Sequence, residues 1–362
     1  MAKIISISTA VPQHEHEQML ILEFMKVVYQ NDPDISRKLS VLYKKSNIDK
    51  RYSVLPDFNL NLKERQLFTS SRDLEPMPGL ESRMSIYLKE APALAMNAIK
   101  GLNLDKATLS KITHLITVSC TGMAAPGIEM MLHEQLGLNK NLHRSAINFM
   151  GCYAAVHALK QAHYIANAEK NALVLIVSVE LCTLHFQKDD SIDALTSSLL
   201  FADGAAAVLV ANNDYASEGI EIKSFYSEVI TRGKKDMAWE LSSEGFRMTL
   251  TGYVPKLIKE DLGELTNNAL SQVNLSKKHV NKWCIHPGGK AVLEAIKSSL
   301  NLTDEELRHS TNILRNYGNV SSATILFVLH SMWTEINAMQ SGHVFGAAFG
   351  PGLNMESFIL CK

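Results

Sequence analysis

Apolar positions along this chain follow two rhythms. Short runs rich in β-branched residues alternate with longer stretches in which apolar side chains recur at helical spacing, the pattern of an α/β protein. The runs 3–8, 114–119, 145–149, 173–180 and 205–211 predict a first series of strands, and 219–227, 283–286, 343–349 and 353–360 predict a second. Helices are predicted over 18–29, 84–100, 127–136, 154–169, 253–274, 290–300, 303–309 and 320–337. Both series end in two neighbouring strands joined by a short turn, and both place a reactive residue after a strand. That hints at a duplicated unit, although no residue-level repeat is visible. The polar cluster 212–219 marks a break, so two halves are expected at 1–215 and 216–362. The stretch 55–83, with three prolines and many charges, reads as a surface excursion.

Composition narrows the function classes. A length of 362 residues with 46% hydrophobic content suffices for a large core, and a net charge of −1 gives no global field for nucleic acid or an anionic membrane. The opening strand pattern reaches Pro12 before any signal-like apolar segment forms. The longest apolar runs, 173–179 and 325–329, are too short to span a bilayer, so no membrane insertion is expected. Five cysteines, at 120, 152, 182, 284 and 361, are odd in number and lack CxxC spacing, which predicts reduced thiols in the cytoplasm and no zinc site. His14-Glu15-His16-Glu17 looks like a metal-binding run, but it precedes a predicted helix and reads as its solvated first turn.

Three strand-to-helix junctions carry candidate chemistry. Gly151 supplies a tight turn before Cys152, which falls at or just inside the start of a helix, where unpaired N–H groups favour the nucleophilic thiolate. A free cysteine is equally among the most buried residue types and often only packs. His286 ends an apolar strand before Pro287-Gly288-Gly289, and Asn319 follows Gly318 at the head of an apolar helix. Imidazole and amide both donate hydrogen bonds to a developing oxyanion, whereas an asparagine after glycine also serves as a plain turn residue.

These motifs resemble the type III polyketide synthases, the chalcone and stilbene synthase family. The resemblance runs through Lys50-Arg51-Tyr52, Gly151-Cys152, 200–207, Ile285-His286-Pro287-Gly288-Gly289, Gly318-Asn319-Val320-Ser321-Ser322-Ala323 and the closing loop 348–353, in family order. It implies a thiolase-like fold, two similar βαβαβ-type halves forming a layered α/β/α/β/α core. It implies that Cys152 accepts an acyl group from an acyl-CoA starter and extends it by decarboxylative Claisen condensation with malonyl-CoA, without metal or cofactor. His286 is expected to form an ion pair with Cys152 and, with Asn319, to hold the thioester oxygen.

The same resemblance assigns a gate and pocket. Phe201 takes the position of a gate aromatic, and Met248 stands where a second aromatic is usual. Cys120, Cys182 and His185 replace hydroxyls, Trp239 replaces a small glycine, and Ser321 belongs to the same pocket; a filled pocket implies few extensions. Lys38 and Lys45, with Gly288, are the coenzyme A candidates, Val41 standing at a third basic position with Arg37 nearby. A homodimer is expected through an apolar edge strand over 144–149. Two rival readings share the fold: a ketosynthase III-like enzyme served by acyl carrier protein, and a catalytically silent partner subunit.

Overall fold

The computed structural model describes residues 1–212, 215 and 218–362, so the expected boundary at 215/216 falls where positions 213, 214, 216 and 217 lie outside the described residues. The chain opens with β1 (Ala2–Ala10) and a small pair, β2 (His14–Glu17) with β3 (Lys50–Ser53). Four buried or edge strands follow: β4 (His114–Ser119), β5 (His143–Asn148), β6 (Leu173–Leu181) and β7 (Asp203–Asn212). After β8 (Ile220–Val229) come the hairpin β9 (Met237–Ser242) and β10 (Gly245–Leu250). The last strands are β11 (Val280–Ile285), β12 (His343–Gly350) and β13 (Asn354–Cys361).

Nine strands join in the order β11-β12-β13-β8-β1-β7-β6-β4-β5. The winding repeats. In the first half β4 runs parallel to β6, which is antiparallel to β7, which is antiparallel to β1. In the second, β11, β12, β13 and β8 reproduce those orientations in that order. The halves meet where β1 and β8 share only the pairs Lys3↔Glu221 and Ile4↔Ile220. β5 feeds helix Ala154–Ala168. At the matching place in the second half, the segment feeding helix Thr324–Ser331 forms a single parallel bridge, Phe201↔Asn319, instead of a sheet strand.

Those two helices form the middle layer. Ala154, Ala155, Ala158, Ala162 and Ala166 are fully buried, because small side chains let a helix lie against sheets on both sides. Val174 and Ile176 of β6 face this layer, while Leu175 and Val177 face the outer helix Leu80–Gly101. The alternation follows from the period of two along a strand. With outer helices on the far face of each half, the architecture is the layered α/β/α/β/α of a thiolase-like fold.

Several expectations are corrected. Residues 14–17 form a strand, not a helical turn: Lys50 Nζ (2.7 Å) and the Tyr52 hydroxyl (2.6 Å) both donate to Glu15, and His16 Nε2 reaches the Leu55 carbonyl (3.0 Å). β6 and β7 are neighbours, but helix Ile192–Leu200 intervenes where a short turn was expected. The helix expected over 303–309 instead spans Arg308–Tyr317, because Thr303 and Glu306 close a turn on each other. The long helix expected over 320–337 breaks at Met332. The excursion 55–83 is anchored: Asp57 accepts three backbone N–H bonds from Gln66, Leu67 and Phe68 at 2.9 Å, and Phe58 and Phe68 are buried. Edge strand β5 is polar and exposed at His143, Arg144 and Ser145, with Ile147 its buried residue. Among the described residues no helix is long and apolar enough to cross a membrane.

The middle layer tolerates little added volume. Ala162→Leu is expected to cost about 1–3 kcal/mol by overpacking, whereas Tyr164→Leu, exposed on the same helix, stays within about 0.5 kcal/mol. Urea denaturation of both variants checks this; equal losses would contradict the layering.

Candidate active site

The turn after β5 is built for close approach. Phe149 and Gly151 both have left-handed backbone, at φ +59° and +83°. A Cβ at Gly151 would lie 2.1 Å from Pro351 Cδ, so glycine is needed for space as well as conformation. Cys152 follows at 6% exposure, just before the N-cap Tyr153 rather than inside the helix. Its Sγ faces Ser321 Oγ at 3.7 Å. The two middle-layer helices thus start toward each other, one behind the cysteine and one behind the Asn319 segment.

Asn319 is fixed from both sides. Its N–H donates to the Leu200 carbonyl (2.8 Å), and its own carbonyl accepts from Ala202 (2.9 Å). Its Oδ1 accepts from the Ser321 N–H (2.9 Å) and the Thr324 hydroxyl (3.2 Å), which leaves Nδ2 as the outward donor, 3.5 Å from the Gly288 carbonyl. Half-buried Gly288 in turn donates to the His286 carbonyl (3.0 Å), linking the two candidate oxyanion residues. The His286 N–H extends the β11–β12 ladder to Ala347 (2.9 Å), while neither ring nitrogen has a hydrogen-bond partner among the described residues. A buried polar pair left open in this way is a place for a ligand.

Burial dominates the electrostatics of the two reactive side chains. Burial pushes the Cys152 thiol up to about 12 and the His286 imidazolium down to about 3. Burial thus works against the charged form of each group, and His286 is not among the groups that shift the Cys152 thiol. The polar groups that favour a thiolate at Cys152 are the Ser321 hydroxyl and the Asn319 side chain, and burial outweighs them.

A cavity of about 360 Å³ opens on Cys152. Its walls bring together Phe201, Met248, Ser321 and Trp239, and also Cys120, Cys182 and His185. His286 and Asn319, 1% and 2% exposed, are not among its walls. The β9–β10 pairing sets Trp239 opposite Met248, so both enter from one hairpin. Trp239 Nε1 donates to the Cys120 carbonyl (2.7 Å), and its ring meets His185 and Phe246 edge-on, each at 5.7 Å. His185 stacks on Phe246 at 4.1 Å. Its Nε2 donates to the Thr121 carbonyl (2.7 Å) and its Nδ1 accepts from the Phe246 N–H (3.1 Å), which fixes the tautomer. Burial holds this imidazole neutral, its imidazolium pushed down to about 3. The result is a rigid aromatic wall.

Lys38 and Lys45 are exposed on one face of helix Pro33–Lys45, with Val41 between them, and lie outside the cavity walls. That helix packs against helix Ile192–Leu200, whose residues do line the cavity. Arg37 is tied to Asp34 at 3.3 Å.

Sequence reasoning missed Glu180. Its carboxylate accepts the Cys120 N–H and the Thr121 hydroxyl, each at 2.9 Å, and the Ser322 hydroxyl. It therefore joins the first half to the segment that carries Asn319. A lone carboxylate inside the run 173–181, uncharged apart from it, was the available signal. Phe246 was missed as well, because only the hairpin register brings it inward.

Comparison with known proteins follows the same outline. The family model for chalcone and stilbene synthases, N-terminal domain, matches residues 1–214, and the C-terminal domain model matches 221–362. The crystal structure of PKS-I from the brown alga Ectocarpus siliculosus is similar with a TM-score of 0.91 at 26% identity, covering 100% of this chain and 98% of that one. The C-terminal type III polyketide synthase domain of Steely1, a type I/III hybrid from Dictyostelium, gives 0.88 at 25% identity, covering 99% and 98%.

Burial raises the Glu180 carboxyl to about 7, above its ordinary value near 4.5. Between those values the folded protein keeps a proton that the unfolded chain has released, so stability is greatest below the lower value and falls as pH rises through the higher. The melting temperature of the unsubstituted protein relative to Glu180→Gln is expected to drop between about pH 5 and pH 7.5, the opposite contributions of buried His185 and His286 being common to both. An unchanged profile in the variant would contradict it.

Proposed function

The chain belongs to the chalcone and stilbene synthase family, the type III polyketide synthases, and is an enzyme of the condensing, acyltransferase kind; on that premise we propose that it loads an acyl-CoA starter on Cys152 and extends it with malonyl-CoA. The observation that carries this reading is Cys152 at its glycine turn, facing the Asn319–Ser321 segment and opening on one cavity. In the loading step the Cys152 sulfur attacks the thioester carbonyl as its proton passes to His286. The coenzyme A thiolate leaves and takes that proton. In that transfer the imidazole acts as general base toward the thiol.

Malonyl-CoA then loses CO2, and the electron pair of the broken bond becomes an enolate. Its oxygen takes hydrogen bonds from Asn319 Nδ2 and from His286, whose ring nitrogens have no partner among the described residues. The enolate carbon attacks the acyl carbonyl on Cys152, a carbon–carbon bond forms, and the thiolate departs. Exclusion of water protects the enolate from premature protonation. The Trp239, His185 and Phe246 wall, in a cavity near the lower end of the usual ligand range, supports few extensions and a short product. Lys38 and Lys45 are the proposed phosphate contacts of coenzyme A.

Assembly and compartment belong to the same reading. β5 ends the sheet with one side unpaired, and an open edge of this kind suits a two-fold partner strand, which supports a homodimer. All five cysteines are free thiols, which fits a reducing cytoplasm.

Intact-protein mass spectrometry tests the mechanism. Cys152→Ala should show no acyl adduct and no condensation while keeping its fold. Asn319→Ala should still load the acyl group but lose malonyl decarboxylation by about 100-fold or more. Normal turnover by Cys152→Ala would overturn the proposal, and equal loss of loading in Asn319→Ala would overturn the division of roles.

A further inference from the structure

The aromatic wall of the cavity is held from behind. Helix Leu80–Gly101, on the outer face of the first half, contributes no residue to the cavity lining, yet it reaches every segment that carries the wall. The Leu80 N–H donates to the Ser243 carbonyl (3.0 Å), which docks the turn of the β9–β10 hairpin on the helix start. The Tyr87 hydroxyl donates to Ser119 Oγ (2.7 Å), and a Cβ at Gly122 would lie 2.3 Å from the Tyr87 ring. Between Ser119 and Gly122 stand the Cys120 and Thr121 carbonyls, which accept from Trp239 and His185.

Arg83 lies one turn before Tyr87 on the same face and is wholly buried. Its Nη1 donates to the carbonyls of Leu184 and Phe186, the latter at 2.9 Å, and so grips both sides of His185. Its Nε donates to the Pro78 carbonyl (3.2 Å). A Cβ at Gly245 would come within 3.1 Å of that Nε, so the strand that carries Phe246 starts directly against the guanidinium. Nη2 has no hydrogen-bond partner among the described residues. Taking a guanidinium out of water is costly, and here backbone carbonyls of the wall segment offset part of that cost. Burial lowers Arg83 to about 10. Its positive charge acts with burial to push the His185 imidazolium down, which favours the neutral ring whose Nδ1 accepts from Phe246.

We propose that Arg83 is a positioning residue for product length: from outside the cavity it holds His185 and the β9–β10 hairpin together, and so keeps the Trp239, His185 and Phe246 wall closed against the growing chain. The inference rests on the polyketide synthase reading. Acyl transfer to Cys152 does not use this wall, so Arg83 acts on the number of extensions and not on loading.

The test uses acetyl-CoA, hexanoyl-CoA and benzoyl-CoA as starters, each with malonyl-CoA. Products are separated by chain length, Cys152 acylation is timed by intact-protein mass spectrometry, and each variant is checked by thermal melting. Arg83→Met keeps the stem and removes the donors. It is expected to raise the ratio of products with one further extension to the unsubstituted protein's main product about fivefold or more, while the acylation rate stays within about twofold. Arg83→Lys, whose single ammonium cannot replace the planar fork, should give an intermediate rise of about twofold. An unchanged ratio in folded Arg83→Met, or in Arg83→Lys where the methionine variant does not fold, would overturn the proposal. Acylation that falls in step with extension would overturn it as well, because it marks a purely structural role. Absence of condensation from all three starters by the unsubstituted protein would overturn the underlying reading instead.

Discussion

A helix that lies between two sheets must be nearly smooth, and that constraint organises this molecule. The alanines of helix Ala154–Ala168 let β-strands approach from both sides, whereas helix Thr324–Ser331 carries larger apolar side chains and is buried from Thr324 to Leu329. Because the two halves share one winding, both helices begin at matching junctions. Whatever precedes each helix is therefore brought to the middle of the molecule. Cys152 precedes one, and Asn319 and Ser321 precede the other. The Gly151–Pro351 approach, too close for any Cβ, locks the first junction against the closing loop of the second half.

Burial decides the electrostatics of the site. It works against charge on both the thiol and the imidazole. The open ring nitrogens of His286 then wait for an oxyanion supplied by substrate. Glu180 plays a different part: its carboxylate binds donors from both halves and holds the junctions in register. The aromatic wall shapes the space that remains, with His185 fixed as a neutral bridge between Thr121 and Phe246.

Much of this was legible in the residues. Strands such as β4 and β6 announce themselves by apolar runs, and Cys152 and His286 stand out because each follows a strand at a turn, whereas Asn319, expected after a strand, follows helix Arg308–Tyr317 at Gly318. The small strands β2 and β3 were not legible, since their polar side chains on both faces carry no apolar alternation. Helix Pro33–Lys45 has few buried residues to reveal its period, although Asp32 before Pro33 is a good helix start. The protonation of Cys152 depends on burial contributed by many distant segments, and local spacing is silent about it. Phe246 reaches the cavity through hairpin register, which a single sequence does not display.

The central claim is that carbon–carbon bond formation at Cys152 is driven by loss of CO2 from malonyl-CoA. Supplying an acyl-CoA starter with malonyl-CoA labelled with 13C in its methylene carbon, and counting CO2 released against label in the product, tests it most directly. The account predicts one CO2 for each labelled two-carbon unit found in the product, with the starter carbons intact at the far end. Release of CO2 with no label in any extended product, or transfer of the starter without malonyl carbon, would contradict it.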